Sequence, residues 1–115
     1  IDRVIQWSSA DEYRYHESLV HVPMGLRDDI QSVLILGGGE GLALREVLKY
    51  PKVDTIVIVD LDPAVFNLAQ TNPFLKEINN NSLAHPKVKM VSEDAFTFLK
   101  KNISQFLIFF WIFQI

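Results

Sequence analysis

The chain contains no cysteine. Disulfide staples and thiolate metal sites are therefore excluded, in keeping with a reducing cytosol. It also lacks any face-sized run of lysine or arginine, and its 11 basic residues are outnumbered by 14 acidic ones, for a formal net charge of −3. Such a balance gives no reason to expect a nucleic-acid partner. No basic segment followed by an apolar one opens the sequence, so no signal peptide is read. A membrane-length run is missing too: the tail Phe106-Leu-Ile-Phe-Phe-Trp-Ile-Phe-Gln-Ile115 is about half the ~20 residues of a spanning helix. No membrane contact is expected from this segment, and the cytoplasm is the expected compartment.

What is present is enough for one folded domain. With 115 residues, 49% of them hydrophobic and 22% charged, the chain can bury a core and is not of disordered composition. Short β-branched runs alternate with helical stretches, the pattern of a parallel sheet covered by helices. Val33-Leu-Ile-Leu36 reads as a buried strand, followed by the turn Gly37-Gly-Gly-Glu-Gly41 and a helix from Leu42 to Tyr50, closed by Pro51. Thr55-Ile-Val-Ile-Val59 reads as a second strand ending at Asp60. Asp62 is placed as an N-cap with Pro63 at the first helical position, opening a helix to about Gln70. The Asn-rich stretch from Asn79 to Pro86 reads as a connector, Val88–Val91 as a third strand, Asp94 as a cap and Ala95–Lys101 as a third helix. The tail from Phe106 falls where a fourth strand is due. Upstream, Ala10–Val20 reads as a capped helix, and Ile1–Trp7 as an extended segment that starts abruptly, as if cut. The expected organisation is a single partial domain over 1–115: an N-terminal segment 1–31, a nucleoside-binding βαβαβα unit 32–105 that closes at Gln105, and an aberrant or fourth-strand tail 106–115.

A glycine loop between a first strand and its helix lets a ligand approach the backbone, and the helix N-terminus beyond it offers unpaired N–H groups. Such a loop also serves simply as a tight turn. Two acids favour a ligand: Asp60 stands ~20 residues on, where a carboxylate accepts both hydroxyls of a ribose, and Asp94 ends the third strand, within reach of an adenine amino group. A plain helix cap at Asp94 is compatible with that contact. Glu40 selects among nucleosides. A dinucleotide fingerprint would put Leu42 at its third glycine, and a carboxylate in the loop would repel a pyrophosphate on the helix N-terminus. A cationic ligand, such as a sulfonium nucleoside carrying an amine, would be attracted instead. The plainer alternative is that Glu40 only complements the helix dipole.

Taken in order, Asp11-Glu-Tyr-Arg-Tyr-His-Glu17, His21-Val-Pro23, Val33-Leu-Ile-Leu-Gly-Gly-Gly-Glu-Gly41, Leu44-Arg-Glu-Val47, Val59-Asp-Leu-Asp-Pro63 and Glu93-Asp-Ala-Phe96 resemble the spermidine synthases, the polyamine aminopropyltransferases. The resemblance runs from Ile1 to about Lys101. Its wording is similar to bacterial members, some of which carry a membrane region upstream. It implies a Rossmann-like parallel sheet of the S-adenosylmethionine-dependent methyltransferase type, here incomplete. It also implies transfer of an aminopropyl group from decarboxylated S-adenosylmethionine, a co-substrate and not a prosthetic group, to a diamine such as putrescine, leaving methylthioadenosine. A homodimer of the intact protein stays open. The resemblance gives Gly37 and Gly39 to the nucleoside loop and Asp60 to the ribose, where many members have Glu. Asp94 and the Ala95 backbone would hold the adenine, with Ala in place of a commoner Gly. Tyr15 and His16 would flank the substrate channel, and Glu40 would bind the amine where many relatives use Asp.

The residues support that chemistry on their own terms. Attack of an amine on a sulfonium carbon needs a neutral amine, hence carboxylates to bind the cation and a base to take its proton. A metal pair of His16 and His21 is not expected, because i, i+5 spacing puts them on different helix faces. His21 reads as a packed or capping histidine at a helix end.

In the family the base is an Asp at the end of the fourth strand, in a segment resembling D-x-I-I-x-D-L-P-D-P. Here the expected Asp is absent after Gln105, since residues 106–115 contain no acid, and no catalytic residue is assigned. Read from the third base of each codon, however, Trp111-Ile112 becomes Asp, Phe110-Trp111 becomes Leu, and Leu107-Ile108, Phe113-Gln114 and Gln114-Ile115 admit Asp, Pro and Asp. The tail is thus expected to be the base-bearing strand read out of frame. A Leu107 codon not ending in G, or a Phe113 codon not ending in C, would sink that reading, and sequencing the gene past Gln105 decides it. The competing functions are an S-adenosylmethionine-dependent methyltransferase, against which Tyr15, His16 and Glu40 argue because methyl transfer needs no amine pocket, and a non-catalytic nucleoside-binding fragment. An incomplete sheet would leave an open edge and an apolar face, so poor solubility or association through the fourth strand is expected.

Overall fold

The computed structural model describes residues 9–26, 28–102 and 108–111. The extended reading of Ile1–Trp7, the boundary set at Gln105 and the ends of the tail lie outside them. In chain order the elements are α1 (Ser9–Met24), β1 (Ser32–Leu36), α2 (Leu42–Val47), β2 (Thr55–Asp60), α3 (Pro63–Thr71), α4 (Pro73–Ile78), a 3-10 turn (Ser82–Ala84), β3 (Val88–Ser92), α5 (Ala95–Asn102) and β4 (Ile108–Trp111). The strands form one sheet in the order β3-β2-β1-β4, with every neighbouring pair parallel.

Period-two alternation along β1 and β2 explains the two layers of helices. Val33, Ile35, Ile56 and Ile58 point to one face, where they pack with Val20 and Met24 of α1, Leu44 and Val47 of α2, and Phe66 and Ala69 of α3. Leu34, Leu36, Val57 and Val59 point to the other, against Val91 and against Ala95, Phe98 and Leu99 of α5. Both strands are covered on both sides, which is why they read as continuous apolar runs without polar alternation. Each fully buried leucine or isoleucine here contributes about 1.5–3 kcal/mol.

The helices differ from expectation in three places. First, α1 runs through Pro23 to Met24 and does not stop near Val20. Burial of Val20 and Met24 against the sheet holds the last turn, and a proline there forfeits one intrahelical bond. Second, α2 ends at Val47 with Leu48 as its C-cap, short of Tyr50. Third, a further helix, α4, lies between the end of α3 and the Asn-rich connector. Asn72 caps it by accepting from the Phe74 and Leu75 N–H groups at 3.0 and 3.1 Å, with Pro73 at its first turn. This repeats the device at Asp62-Pro63, where Asp62 accepts from the Ala64 N–H at 2.9 Å.

Candidate functional site

The register pairs Leu36 with Val59 and Asp60 with Ser92, so the loops leaving β1, β2 and β3 emerge side by side. In an open parallel sheet this carboxyl edge is where ligands bind.

The glycine loop needs its glycines at definite positions. Gly37, Gly38 and Gly41 have φ of 85°, 68° and 90°, the left-handed region that costs other residues roughly 1–2 kcal/mol. The Gly37 N–H donates to the Val59 carbonyl at 2.6 Å, extending the β1–β2 ladder into the loop. At Gly39 the constraint is space: a Cβ would lie 2.9 Å from Val65 Cγ1 and 3.0 Å from Asp60 Oδ2. At Gly41 a Cβ would lie 2.7 Å from Ser82 Oγ. Gly41→Ala is accordingly expected to destabilise the chain by about 2–3 kcal/mol, strain and steric conflict together, measured as a lowered urea midpoint at unchanged slope.

Asp60 meets the loop directly. Its Oδ2 accepts from the Gly39 N–H at 3.1 Å and its Oδ1 from the Asp62 N–H at 3.2 Å, so the carboxylate is fixed between the β1 loop and the start of α3. Asp94 caps α5, accepting from the Thr97 N–H at 3.0 Å, and Ala95 behind it is half-buried against the sheet. Glu40 is half-buried and its carbonyl accepts from Asn79 Nδ2 at 2.8 Å. On α1, Tyr15 is 44% exposed and His16 is buried, their rings edge-to-face at 4.9 Å. The structure thus brings Gly37, Gly39, Glu40, Asp60, Asp94 and Ala95 to one edge, and places Tyr15 and His16 together on the helix that packs against α2. Beyond Gln105, which is not among the described residues, the chain returns as β4 on the far side of β1, with Trp111 beside Leu36. The fourth strand expected after Gln105 is therefore formed by the tail itself, and its described residues Ile108–Trp111 carry no acid.

Several residues escaped the sequence reading. Leu61 and Phe96, immediately beyond Asp60 and Ala95, are largely exposed apolar side chains at the same edge. Asn79 and Ser82 are buried beneath the loop. Glu46, fully buried in α2, accepts from Arg45 Nε at 2.6 Å, Lys49 Nζ at 2.7 Å and His21 Nε2 at 2.8 Å. Because an ionised carboxylate only accepts, His21 donates through Nε2, and its Nδ1 meets the Tyr50 hydroxyl at 2.5 Å. His21 is therefore the packed histidine of the last turn, tying α1 to α2. Among the described residues no group of three or more His, Cys, Asp or Glu could hold a metal ion.

Burial pushes the Glu46 carboxyl up, but the bonds from Lys49, Arg45 and His21 outweigh it and hold it below its ordinary value of 4.5. A depressed carboxylate stabilises the fold above the unfolded-state value and loses that contribution as pH falls through the folded one. The wild-type chain is expected to lose stability from about pH 4.5 downward, and Glu46→Gln to flatten that limb in urea titrations across pH.

A four-stranded parallel sheet ordered 3-2-1-4, a glycine loop after the first strand and an acid ending the second define a Rossmann-like domain of the S-adenosylmethionine-dependent methyltransferase type. The sequence model of the spermine/spermidine synthase domain matches residues 12–109, and the chain belongs to that family. It is 51% identical over 100 residues to the polyamine aminopropyltransferase of Oceanobacillus iheyensis, covering 87% of this chain and 20% of that protein. It is 50% identical over 102 residues to polyamine aminopropyltransferase 1 of Streptomyces coelicolor, covering 89% of this chain and 19% of that protein. The crystal structure of spermidine synthase from Thermotoga maritima superposes with a TM-score of 0.80 at 32% identity, over 86% of this chain and 33% of that one. A spermidine synthase in complex with the transition state analogue AdoDATO matches with the same TM-score and identity. The chain thus spans about a fifth of the length of these two curated relatives. Among the described residues no helix is long and apolar enough to cross a membrane.

Proposed function

We propose that this chain is the nucleoside-binding part of a polyamine aminopropyltransferase, which moves an aminopropyl group from decarboxylated S-adenosylmethionine to a diamine such as putrescine. The observation that carries the reading is the Asp60 carboxylate, held by the Gly39 N–H at the carboxyl edge with Glu40 next in the loop. Asp60 takes the ribose hydroxyls, and Asp94 with the Ala95 backbone takes the adenine. Gly37 and Gly39 let the nucleoside lie against the backbone. Leu61 and Phe96 offer the purine apolar surface. Glu40 attracts the aminopropyl ammonium, while Tyr15 and His16 contact the diamine. In the transfer, the lone pair of a neutral amine nitrogen forms a bond to the carbon beside the sulfonium. The carbon–sulfur bond breaks with its electron pair going to sulfur, and the product ammonium gives a proton to a base.

After Gln105 the chain supplies no acid as that base, and β4 ends in Trp111 where a strand-end acid would stand. The second reading follows from this: the 115-residue chain binds nucleoside without turnover. Calorimetric titration with methylthioadenosine, putrescine, and S-adenosylmethionine in both its decarboxylated and intact forms tests both. Binding of methylthioadenosine with preference for the decarboxylated sulfonium supports the family reading. A preference for intact S-adenosylmethionine would point to a methyltransferase, and no binding at all to a non-functional fragment.

A further inference from the structure

The turn between α4 and β3 does more than connect. Two side chains from it reach two consecutive carbonyls of the glycine loop: Asn79 Nδ2 donates to the Glu40 carbonyl at 2.8 Å and Ser82 Oγ donates to the Gly41 carbonyl at 2.9 Å. Asn79 and Ser82 are 0% and 3% exposed. The turn is itself anchored, since Arg45 Nη1 donates to the Ile78 carbonyl at 2.8 Å and the Asn81 N–H donates to the Lys76 carbonyl at 2.9 Å. Asn80 and Asn81 adopt left-handed φ of 55° and 54°, a conformation that asparagine tolerates better than most residues and that aims positions 79 and 82 at the loop.

The Asn79 amide is oriented by two acceptors, the Glu40 carbonyl and, at 3.4 Å, the Ala69 carbonyl. Its own Oδ1 is buried with no hydrogen-bond partner among the described residues. Leaving a buried acceptor unmatched costs about 1–3 kcal/mol, comparable to the net gain from the two bonds the amide makes. Stability alone therefore gives little reason for an asparagine here. Geometry gives one. Peptide units are planar and trans, so fixing the Glu40 and Gly41 carbonyls from beneath also fixes the planes of the 40–41 and 41–42 peptides, and with them the base from which the Glu40 side chain springs. One polar donor under each carbonyl removes the freedom that three left-handed glycines would otherwise give this loop.

We propose that Asn79 and Ser82 are positioning residues, which set the carboxylate of Glu40 for the ammonium of the aminopropyl group by holding the loop carbonyls. The role assigned to Glu40 rests on the aminopropyltransferase reading; the clamp on the loop does not.

The test uses the full 115-residue chain, its variants Asn79→Ala and Ser82→Ala, and each combined with Glu40→Gln. Calorimetry compares decarboxylated S-adenosylmethionine, which carries the amine, with methylthioadenosine, which lacks it. Asn79→Ala is expected to weaken the first by about tenfold and the second by less than about twofold, with the difference vanishing in the Glu40→Gln background. An equal loss for both ligands, or one that persists without the Glu40 carboxylate, would mean a merely structural role and overturn the proposal. If the wild-type chain binds neither nucleoside, the functional reading fails, and the clamp is judged in the free chain by amide hydrogen exchange. Gly41 and Arg45, whose N–H groups bond to Gly38 and Gly41, should then exchange about tenfold faster in Asn79→Ala relative to the β2 amides. Unchanged relative exchange overturns the clamp. Should Asn79→Ala fail to fold, Ser82→Ala carries the same measurement at Arg45.

Discussion

Asp60→Ala is expected to weaken methylthioadenosine binding by at least about a hundredfold. In the proposed nucleoside site two ribose hydroxyls would make two charge-assisted hydrogen bonds to this carboxylate, each typically about 1.5–3 kcal/mol. The substitution removes both. It also frees the Gly39 and Asp62 N–H groups that the carboxylate now accepts from, at 3.1 and 3.2 Å, so the loop loses its tie to the start of α3. Asp60→Asn separates the two effects. Its amide keeps one acceptor for the Gly39 N–H but offers a donor on the other side, and about a tenfold loss is expected. Calorimetric titration supplies the affinities, and thermal melts followed by circular dichroism show whether the variants remain folded. Binding that survived Asp60→Ala in a folded chain would remove Asp60 from the ribose site.

Glu46→Ala is expected to cost about 3–5 kcal/mol of stability, the range for breaking a buried ion pair from one side. The glutamate is fully buried and receives three donors, so its loss takes the carboxylate acceptor from Arg45 Nε, on a side chain only 1% exposed. It also releases His21 and thereby the link between α1 and the helix of the glycine loop. Against a total of about 5–15 kcal/mol for an ordinary domain, the loss is large enough to leave the variant partly unfolded at physiological temperature. The double variant Arg45→Met with Glu46→Leu removes this buried ion pair from both sides and is expected to lose less than Glu46→Ala, while still giving up the Arg45 bond to the Ile78 carbonyl and the Glu46 bond to His21. Urea denaturation of the single and double variants decides the point. A Glu46→Ala midpoint close to that of the wild type would show that the network contributes little.

Much of the sheet was legible because parallel strands covered on both faces need uninterrupted apolar runs. Val33–Leu36 and Thr55–Val59 match the two central strands to within a residue; Val88–Val91 matches the edge strand equally closely, although exposed Lys89 interrupts its apolar run. The start of α3 is legible from Asp62-Pro63; the same signal at Asn72-Pro73 is weaker because the helix behind it is only six residues long and fully buries no side chain. The end of α1 is not legible locally because Pro23 is a signal to stop that burial of Val20 and Met24 overrules. The loop acids were visible as motifs at strand ends, and the register of the sheet gathers them at one edge.

The sequence by itself determined the alternation of strands and helices, the glycine loop and the acids that follow the second and third strands, since these depend on residue type and short spacing. Only the tertiary structure decided what stands beneath and beside them. Glu46 meets His21 from 25 positions away, Asn79 meets Glu40 from 39 and Ser82 meets Gly41 from 41. A hydrogen bond forms only when donor and acceptor come within about 3 Å at a good angle, and no local pattern specifies that over such separations. Packing of α1, α2 and the α4–β3 turn on one face of the sheet sets those distances, which is how an asparagine-rich connector becomes the support of the glycine loop.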